Sequence, residues 1–296
     1  MDQQSSGFSD RLKSWPLYFL PHHLISRLVF RLTRLETSLK NPVIRWFIKT
    51  YRVDMNDAVE SDISRFASFN AFFTRALKAD ARPLCSGAET TASPVDGTVS
   101  QAGEIKDGRI FQAKGRDFSL LELLGGNAAL AKPFENGRFS TLYLSPRDYH
   151  RIHMPVSGTL HAQTYVPGRL FSVAPHTVRT VPRLFARNER VIAFFDTPFG
   201  PMAMVLVGAI NVAAIETVWS GLVTPPPGKT INEIRYDSDD APSLEKGAEM
   251  GRFNMGSTVI LLFGDNVTWL DDLQAGRKVR MGECIGSGRN VNGAGY

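Results

Sequence analysis

Phe199-Gly200-Pro201-Met202-Ala203-Met204-Val205-Leu206-Val207-Gly208-Ala209-Ile210-Asn211-Val212-Ala213-Ala214-Ile215 is the longest mostly apolar stretch of the chain without a charge. A helix crossing a bilayer needs about 20 predominantly apolar residues. This stretch stops short of that, and Pro201, two glycines and Asn211 interrupt it further. A pair of buried strands suits it better than a spanning helix. Working outward, runs of the same texture recur at Gly97–Gln101, Phe139–Leu144, Arg190–Phe195, Met202–Ile210, Ala213–Trp219 and Thr258–Phe263. Gly, Pro, Asn and Asp separate them. Short punctuated strands of this kind predict an antiparallel core, barrel-like or a sandwich. Leu120–Leu124 and Asn127–Leu130 read as a short helical insert. Residues 223–246, with Pro225-Pro226-Pro227 and Asp237 to Asp240, read as an exposed loop.

The first 80 residues are different and read as helical. From Leu24 to Leu35, the residues Leu24, Ile25, Leu28, Val29, Leu32 and Leu35 fall within an arc of about 140° at helical spacing. Arg27, Arg31 and Arg34 cluster beside that arc. A second helix is expected from Asn41-Pro42, with Asn as N-cap and Pro at the first helical position. A third is expected over Asp62 to Leu77, carrying Phe66, Phe69, Phe72 and Phe73. Residues 1–53 hold nine Lys/Arg against three acids, a charge of +6, while the whole chain is +5. The basic character therefore belongs to this segment. It fits an interfacial anchor, with an apolar face in lipid and cations on anionic headgroups. It equally fits helices that cover the β core or a subunit interface. Nucleic acid is the weaker partner, because no recognised binding motif accompanies the charge.

Composition narrows the class. Of the 296 residues, 43% are hydrophobic and 21% charged, which excludes general disorder. Gly (25) and Pro (17) are slightly frequent without any repeat. The two cysteines, Cys85 and Cys284, lie far apart with no CxxC spacing, so neither a disulfide framework nor a cysteine zinc site is expected. The start has no small-residue cleavage site behind an apolar core, and no signal peptide is expected.

Three segments could carry chemistry. In Ser93-Pro94-Val95-Asp96-Gly97-Thr98, Asp-Gly is by itself a turn signal, and Asp96 could alternatively orient a histidine. In Leu144-Ser145-Pro146-Arg147-Asp148-Tyr149-His150-Arg151-Ile152-His153-Met154-Pro155, two histidines lie three apart. A metal site would need further ligands, and no third one stands at a suggestive spacing. Histidine remains the natural general base near neutral pH. In Gly251-Arg252-Phe253-Asn254-Met255-Gly256-Ser257-Thr258-Val259-Ile260, the glycine adjoins the serine, which excludes the nucleophile elbow of α/β-hydrolases. Adjacency suits attack of the serine on the preceding carbonyl, since a residue without a side chain allows close approach and strained angles.

Together these segments resemble the phosphatidylserine decarboxylases, pyruvoyl-dependent enzymes, in their bacterial membrane-associated form. The resemblance extends to Phe69-Asn70-Ala71-Phe72-Phe73-Thr74-Arg75, Ala81-Arg82-Pro83, Leu184-Phe185, Asn188-Glu189-Arg190, Gly208–Val212 and Lys246-Gly247. The family usually has Leu where this chain has Met255, a change that conserves volume. The resemblance implies an α+β fold: N-terminal amphipathic helices (1–80, membrane-associating) before a mainly antiparallel sandwich or barrel-like catalytic domain (81–296). It implies self-cleavage between Gly256 and Ser257 into fragments 1–256 and 257–296. Asp96, His153 and Ser257 would form the cleavage triad, and His150 would assist decarboxylation. Ser257 would become the pyruvoyl cofactor, which takes phosphatidylserine as a Schiff base and releases carbon dioxide to leave phosphatidylethanolamine. No metal is implied. The implied partners are phosphatidylserine, an anionic membrane surface, and the two fragments as a heterodimer that dimerises further. The implied location is peripheral, on the cytoplasmic side of the cell membrane. A serine hydrolase on the same residues, a non-enzymatic membrane scaffold and a pyruvoyl decarboxylase of soluble amino acids are the rival readings.

Overall fold

The computed structural model describes residues 8–113, 115–210, 214–225, 229–237, 239–255 and 257–291. The chain begins with helices Phe8–Ser14, His22–Thr33 and Lys40–Tyr51, then a short helix Phe69–Phe73. The rest is a β-rich body with short helical turns. Its main sheet is antiparallel. In spatial order the path runs Asn232–Arg235, Gly158–Val166, Arg190–Thr197, Gly200–Val207, Ser257–Phe263, Arg138–Leu144, Gly97–Glu104 and Lys278–Val279, with Ser243–Leu244 also pairing with Gly158–Val166. A second sheet orders Gly221–Leu222, Ala214–Thr217, Glu249–Asn254 and Arg151–His153.

Met202 to Val207 and Val259 to Phe263 are all fully buried, on both faces of the main sheet. That is why they read as continuous apolar runs rather than as alternating ones. Leu120, Leu123, Leu130 and Phe185 from the helical turns join the same cluster. The α+β class is therefore as expected, but the barrel is not closed, since the sheet path ends at Asn232–Arg235 on one side and Lys278–Val279 on the other. The two strands foreseen in the opening stretch exist, yet they belong to different sheets. The segment 223–246 is not simply a loop: Asn232–Arg235 adds an edge strand to Gly158–Val166. Its mostly exposed side chains hide that pairing from a reading by hydrophobicity.

The helical part also departs from expectation. The second helix starts at Lys40, and Asn41 accepts from Lys40 Nζ instead of capping. The third shrinks to a 3-10 turn at Ile63–Arg65 and helix Phe69–Phe73. Ser68 starts that helix by accepting from the Ala71 N–H. Its phenylalanines serve tertiary packing more than helix length: Phe69, Phe72 and Phe73 meet Phe47 and Phe66 in a separate cluster that also receives Met255. Helix His22–Thr33 is turned the opposite way from an ordinary surface helix. Its buried residues are His22 and Ser26, while Leu24, Leu28 and Leu32 are 68%, 57% and 54% exposed. His22 is held by the Phe171 ring at 5.2 Å and the Leu170 N–H. Among the described residues no helix is long and apolar enough to cross a membrane.

These placements separate two kinds of leucine-like residue. Phe263→Ala should cost about 3–5 kcal/mol, as expected for an aromatic emptied from a packed core. Leu28→Ser should change stability by less than about 0.5 kcal/mol. Denaturant midpoints measure both, and a large loss for Leu28→Ser would mean that its face is packed.

Candidate active site

The chain passes from the second sheet to the main one between Asn254 and Ser257. Asn254 ends a strand of the small sheet, and Ser257 begins a central strand of the main one. Met255 makes that corner with φ +95°, a left-handed conformation that a side chain strains by about 1–3 kcal/mol. Both sides of the corner are held. Asn254 Oδ1 accepts from Asn70 at 2.9 Å, its amide donates to Glu216 at 3.4 Å, and Met255 packs on the phenylalanine cluster. Beyond it, Ser257 pairs with Leu144, and Thr258 lies between Tyr143 and Val207. Gly256 and the side chain of Ser257 lie outside the described residues.

Asp96 reaches this place from the bend just before strand Gly97–Glu104, two strands away. Thr98 and Thr258 both pair with Tyr143, which sets them about 10 Å apart, two strand spacings. Gly97 is required there, because a Cβ would stand 2.6 Å from the Tyr143 carbonyl oxygen. The His153 N–H donates to the Pro94 carbonyl at 2.9 Å, which draws the second histidine alongside. Yet the direct Asp96–His153 hydrogen bond that a triad implies is not made. Arg82 takes both Asp96 oxygens, with Nε at 2.8 and 3.1 Å and a terminal nitrogen at 2.5 Å, and the Met281 N–H takes Oδ1 at 2.8 Å. The same Arg82 also binds Asp57 at 2.7 Å.

His153 has other partners. Its Nδ1 is 2.8 Å from the Gly247 carbonyl, which can only accept, so Nδ1 carries the proton. Nε2 is then the basic nitrogen, and the Tyr149 hydroxyl donates to it at 3.0 Å. Burial lowers the His153 pKa against the opposing pull of the Gly247 carbonyl, and burial pushes Tyr149 up to about 12. The pair is therefore neutral near pH 7. Asp96 acts on His153 through space, as a negative charge that favours its protonated form.

His150 occupies a drier place. It is fully buried, stacked on Phe73 at 4.1 Å between centroids, and its carbonyl accepts from Phe253 on the strand that leads to the corner. Neither ring nitrogen has a hydrogen-bond partner among the described residues, although the Ser145 and Pro146 carbonyls lie beside the ring. Burial and then the nearby Arg75 charge push its pKa down to about 3. Asp148 shapes the turn before it by accepting from the Ser145 N–H and hydroxyl at 2.7 and 2.8 Å.

Four sequence-assigned residues thus converge in backbone terms: His153 and Ser257 from strands, Asp96 and His150 from the segments just before strands. The sequence reading missed Tyr149, Arg82, the Gly247 carbonyl and Phe73 as working parts. Each sits in a segment already singled out, but hydrogen-bond partners from distant segments leave no mark in spacing.

The family model described as phosphatidylserine decarboxylase matches residues 69–287, and a second, described as PSD, matches residues 12–52. A Pseudomonas fluorescens protein named phosphatidylserine decarboxylase proenzyme is 58% identical over 92% of this chain and 95% of its own length. Proteins of the same name from Pseudomonas aeruginosa and Shewanella baltica are 57% and 54% identical. They cover 94% and 96% of this chain, and 98% and 99% of their own lengths.

Buried neutral His150 links stability to pH. The unfolded ring protonates near 6.5 and the folded one only near 3, so below pH 6.5 the unfolded chain binds the extra proton. Stability should therefore fall as pH falls from 6.5 towards 3, by up to about 1.4 kcal/mol per unit from this residue. Urea unfolding of the parent and His150→Phe should show the shallower slope in the variant, which keeps the ring stack. Equal slopes would mean that the ring is not buried in its neutral form.

Proposed function

The chain belongs to the phosphatidylserine decarboxylase family, and from that premise we propose that it cuts itself between Gly256 and Ser257 and decarboxylates phosphatidylserine through the pyruvoyl group left on residue 257. The observation that carries this reading is the strained corner at Met255, which adjoins that bond and is gripped from both sheets. The word proenzyme in the relatives' names implies a maturation step in them.

In the proposed cleavage, neutral His153 takes the Ser257 hydroxyl proton at Nε2, after its Tyr149 partner gives way. The negative field of Asp96, fixed by Arg82, favours the imidazolium so formed. The alkoxide adds to the Gly256 carbonyl, the C–N bond breaks, and the amide becomes an ester. Loss of the Ser257 α-hydrogen then expels the Gly256 carboxylate from Cβ. The dehydroalanine left behind tautomerises, and water releases ammonia, leaving the ketone. Neighbouring positions in one chain make the first step unimolecular, worth about 7–11 kcal/mol when the geometry is held. Strain at Met255 adds to this if opening the link relieves it.

The site's residues fit such a group. Residue 257 begins a strand with neighbours on both sides, Arg138–Leu144 and Gly200–Val207, which belong to the fragment 1–256. Those ladders would hold the two fragments together as a heterodimer. Phe73 and Met255 give the corner an apolar wall. The pyruvoyl group supplies a ketone for the substrate amine and an adjacent carbonyl that takes up the electrons released with carbon dioxide. The low-polarity surroundings disfavour the substrate carboxylate relative to the charge-dispersed transition state. His150 relays the returning proton as a neutral ring, one nitrogen giving up its N–H while the other takes up a proton.

The N-terminal helices suit the same substrate. Four leucines in a row, Leu24, Leu28, Leu32 and Leu35, stand more than half exposed, with Arg27 and Arg31 exposed beside them. Each leucine moved into lipid contributes roughly 1–2 kcal/mol, and each cation near an anionic surface about 1 kcal/mol. Exposed Trp15 and Phe19 suit the headgroup layer. Arg34 lies near Glu216, which holds Asn254, so this surface adjoins the corner. The proposed location is peripheral, on the anionic cytoplasmic face of the cell membrane.

On phosphatidylserine vesicles, the protein should release carbon dioxide and phosphatidylethanolamine. Ser257→Ala should release none, and His150→Ala should slow turnover by about 10²–10⁴-fold; activity retained in Ser257→Ala would contradict the assignment. Separately, replacing Leu24, Leu28 and Leu32 together by Ser should weaken vesicle sedimentation, and binding by the parent should fall as salt rises. Unchanged sedimentation would remove the interfacial role.

A further inference from the structure

A cavity of about 280 Å³ opens beside Asp96 and Tyr149, and no step above uses it. Arg75 lines its buried part, while the exposed Arg52, Arg147, Lys278 and Arg280 border it. Arg75 is only 5% exposed, yet it forms no ion pair among the described residues, and its Nε has no hydrogen-bond partner there. The Phe72 ring lies 5.6 Å away, and the charges of Asp96 and Asp54 act on the guanidinium without forming an ion pair with it. Arg190 shows how this fold otherwise buries a guanidinium: each of its three nitrogens donates to a carbonyl, of Leu123, Asn188 or Glu122, at 2.6–2.8 Å. Arg75 has nothing equivalent. Of the cavity's four carboxylates, Asp57 and Asp96 bind Arg82, Asp148 binds Ser145 and Asp54 accepts from the Asn56 N–H, so none makes an ion pair with Arg75.

A desolvated cation without a partner costs several kcal/mol, and an incoming anion removes that cost. We infer that this cavity holds the phosphodiester of the substrate headgroup, with Arg75 as its deep partner and the bordering cations as a funnel. The inference rests on the proposed substrate. The phosphodiester is favoured over the serine carboxylate for a chemical reason. The carboxylate loses its charge during the reaction, so an arginine bound to it would stabilise the ground state and oppose catalysis. The phosphodiester keeps its charge throughout. Arg75 also lies near His150, whose proton affinity it lowers, so a headgroup anchored there lies next to the reacting corner.

The test uses the full-length purified protein, Arg75→Met and the exposed-site variant Arg280→Ser. Calorimetry would follow binding of glycerophosphoethanolamine, a phosphodiester without a carboxylate, and of inorganic phosphate. Kinetics on phosphatidylserine vesicles and denaturant midpoints accompany it. Loss of one charge-assisted bidentate pair should weaken diester binding and raise KM by roughly 10–100-fold in Arg75→Met. Arg280→Ser should give a change of about 2–5-fold. The Arg75→Met midpoint should hold or rise, because an unpaired buried charge is gone. Should that variant fail to fold, Arg75→Lys, which keeps the charge but loses the fork, should show a weaker loss in the same direction. Unchanged diester affinity, inorganic phosphate binding as tightly as the diester, or a lowered midpoint with unchanged KM would each overturn the inference. Arg75-dependent diester binding without any turnover by the parent would uphold the subsite and reject the proposed activity instead.

Discussion

Between Asn254 and Ser257 the chain has two residues in which to leave one sheet and enter another, and the rest of the site follows from that constraint. The bend falls on Met255, a residue with a side chain in a backbone region that favours glycine. It can be held only because both arms are anchored: one through Asn70, Glu216 and the phenylalanine cluster, the other through the middle of the main sheet. The anchors lie on both sides of the proposed scission, so a cut there would leave two fragments still joined by backbone ladders. A bond in the middle of either strand would offer neither the strain nor the freedom to open.

The histidines are tuned by what is kept away from them. Arg82 takes both oxygens of Asp96 and so keeps that carboxylate from bonding to His153 directly, leaving it as a fixed field. His153 is then oriented by a carbonyl and a hydroxyl, which fix its proton on Nδ1. His150 has only carbon on its face and Arg75 nearby, and both favour the neutral ring. Two histidines three residues apart thus differ in hydration, although both are neutral bases at pH 7. The difference comes mainly from the segments that cross them, Gly247 beside His153 and Phe73 and Arg75 beside His150, with Tyr149 the one close neighbour in sequence that takes part.

Much of this was legible in the chain. Strands such as Arg190–Thr197 and Ser257–Phe263 declared themselves because apolar β-type residues were bounded by turn formers. The edge strand Asn232–Arg235 did not, because an edge strand with exposed side chains lacks the apolar signal. The helix over Asp62–Leu77 was overextended because its phenylalanines mimic a helical face, while they in fact pack a tertiary cluster around a five-residue helix. Asp96, His150, His153 and Ser257 could be named from their segments and the family resemblance. The clamp by Arg82, the proton direction on His153 and the unpartnered Arg75 could not, since each depends on atoms from segments far apart in the chain.

The surface and the site belong together physically. An exposed leucine face, with cations beside it, lies on helix His22–Thr33, and Arg34 at its end feels the charge of Glu216, which holds Asn254. A substrate presented by a lipid surface would meet the reacting strand without the enzyme crossing the bilayer. The account nevertheless rests first on a covalent event at one bond. The most direct measurement is the intact mass of the purified, active protein under denaturing conditions. The account predicts two species, 1–256 and 257–296, the smaller carrying a ketone in place of its terminal amine. A single species spanning 1–296 in fully active material would contradict it.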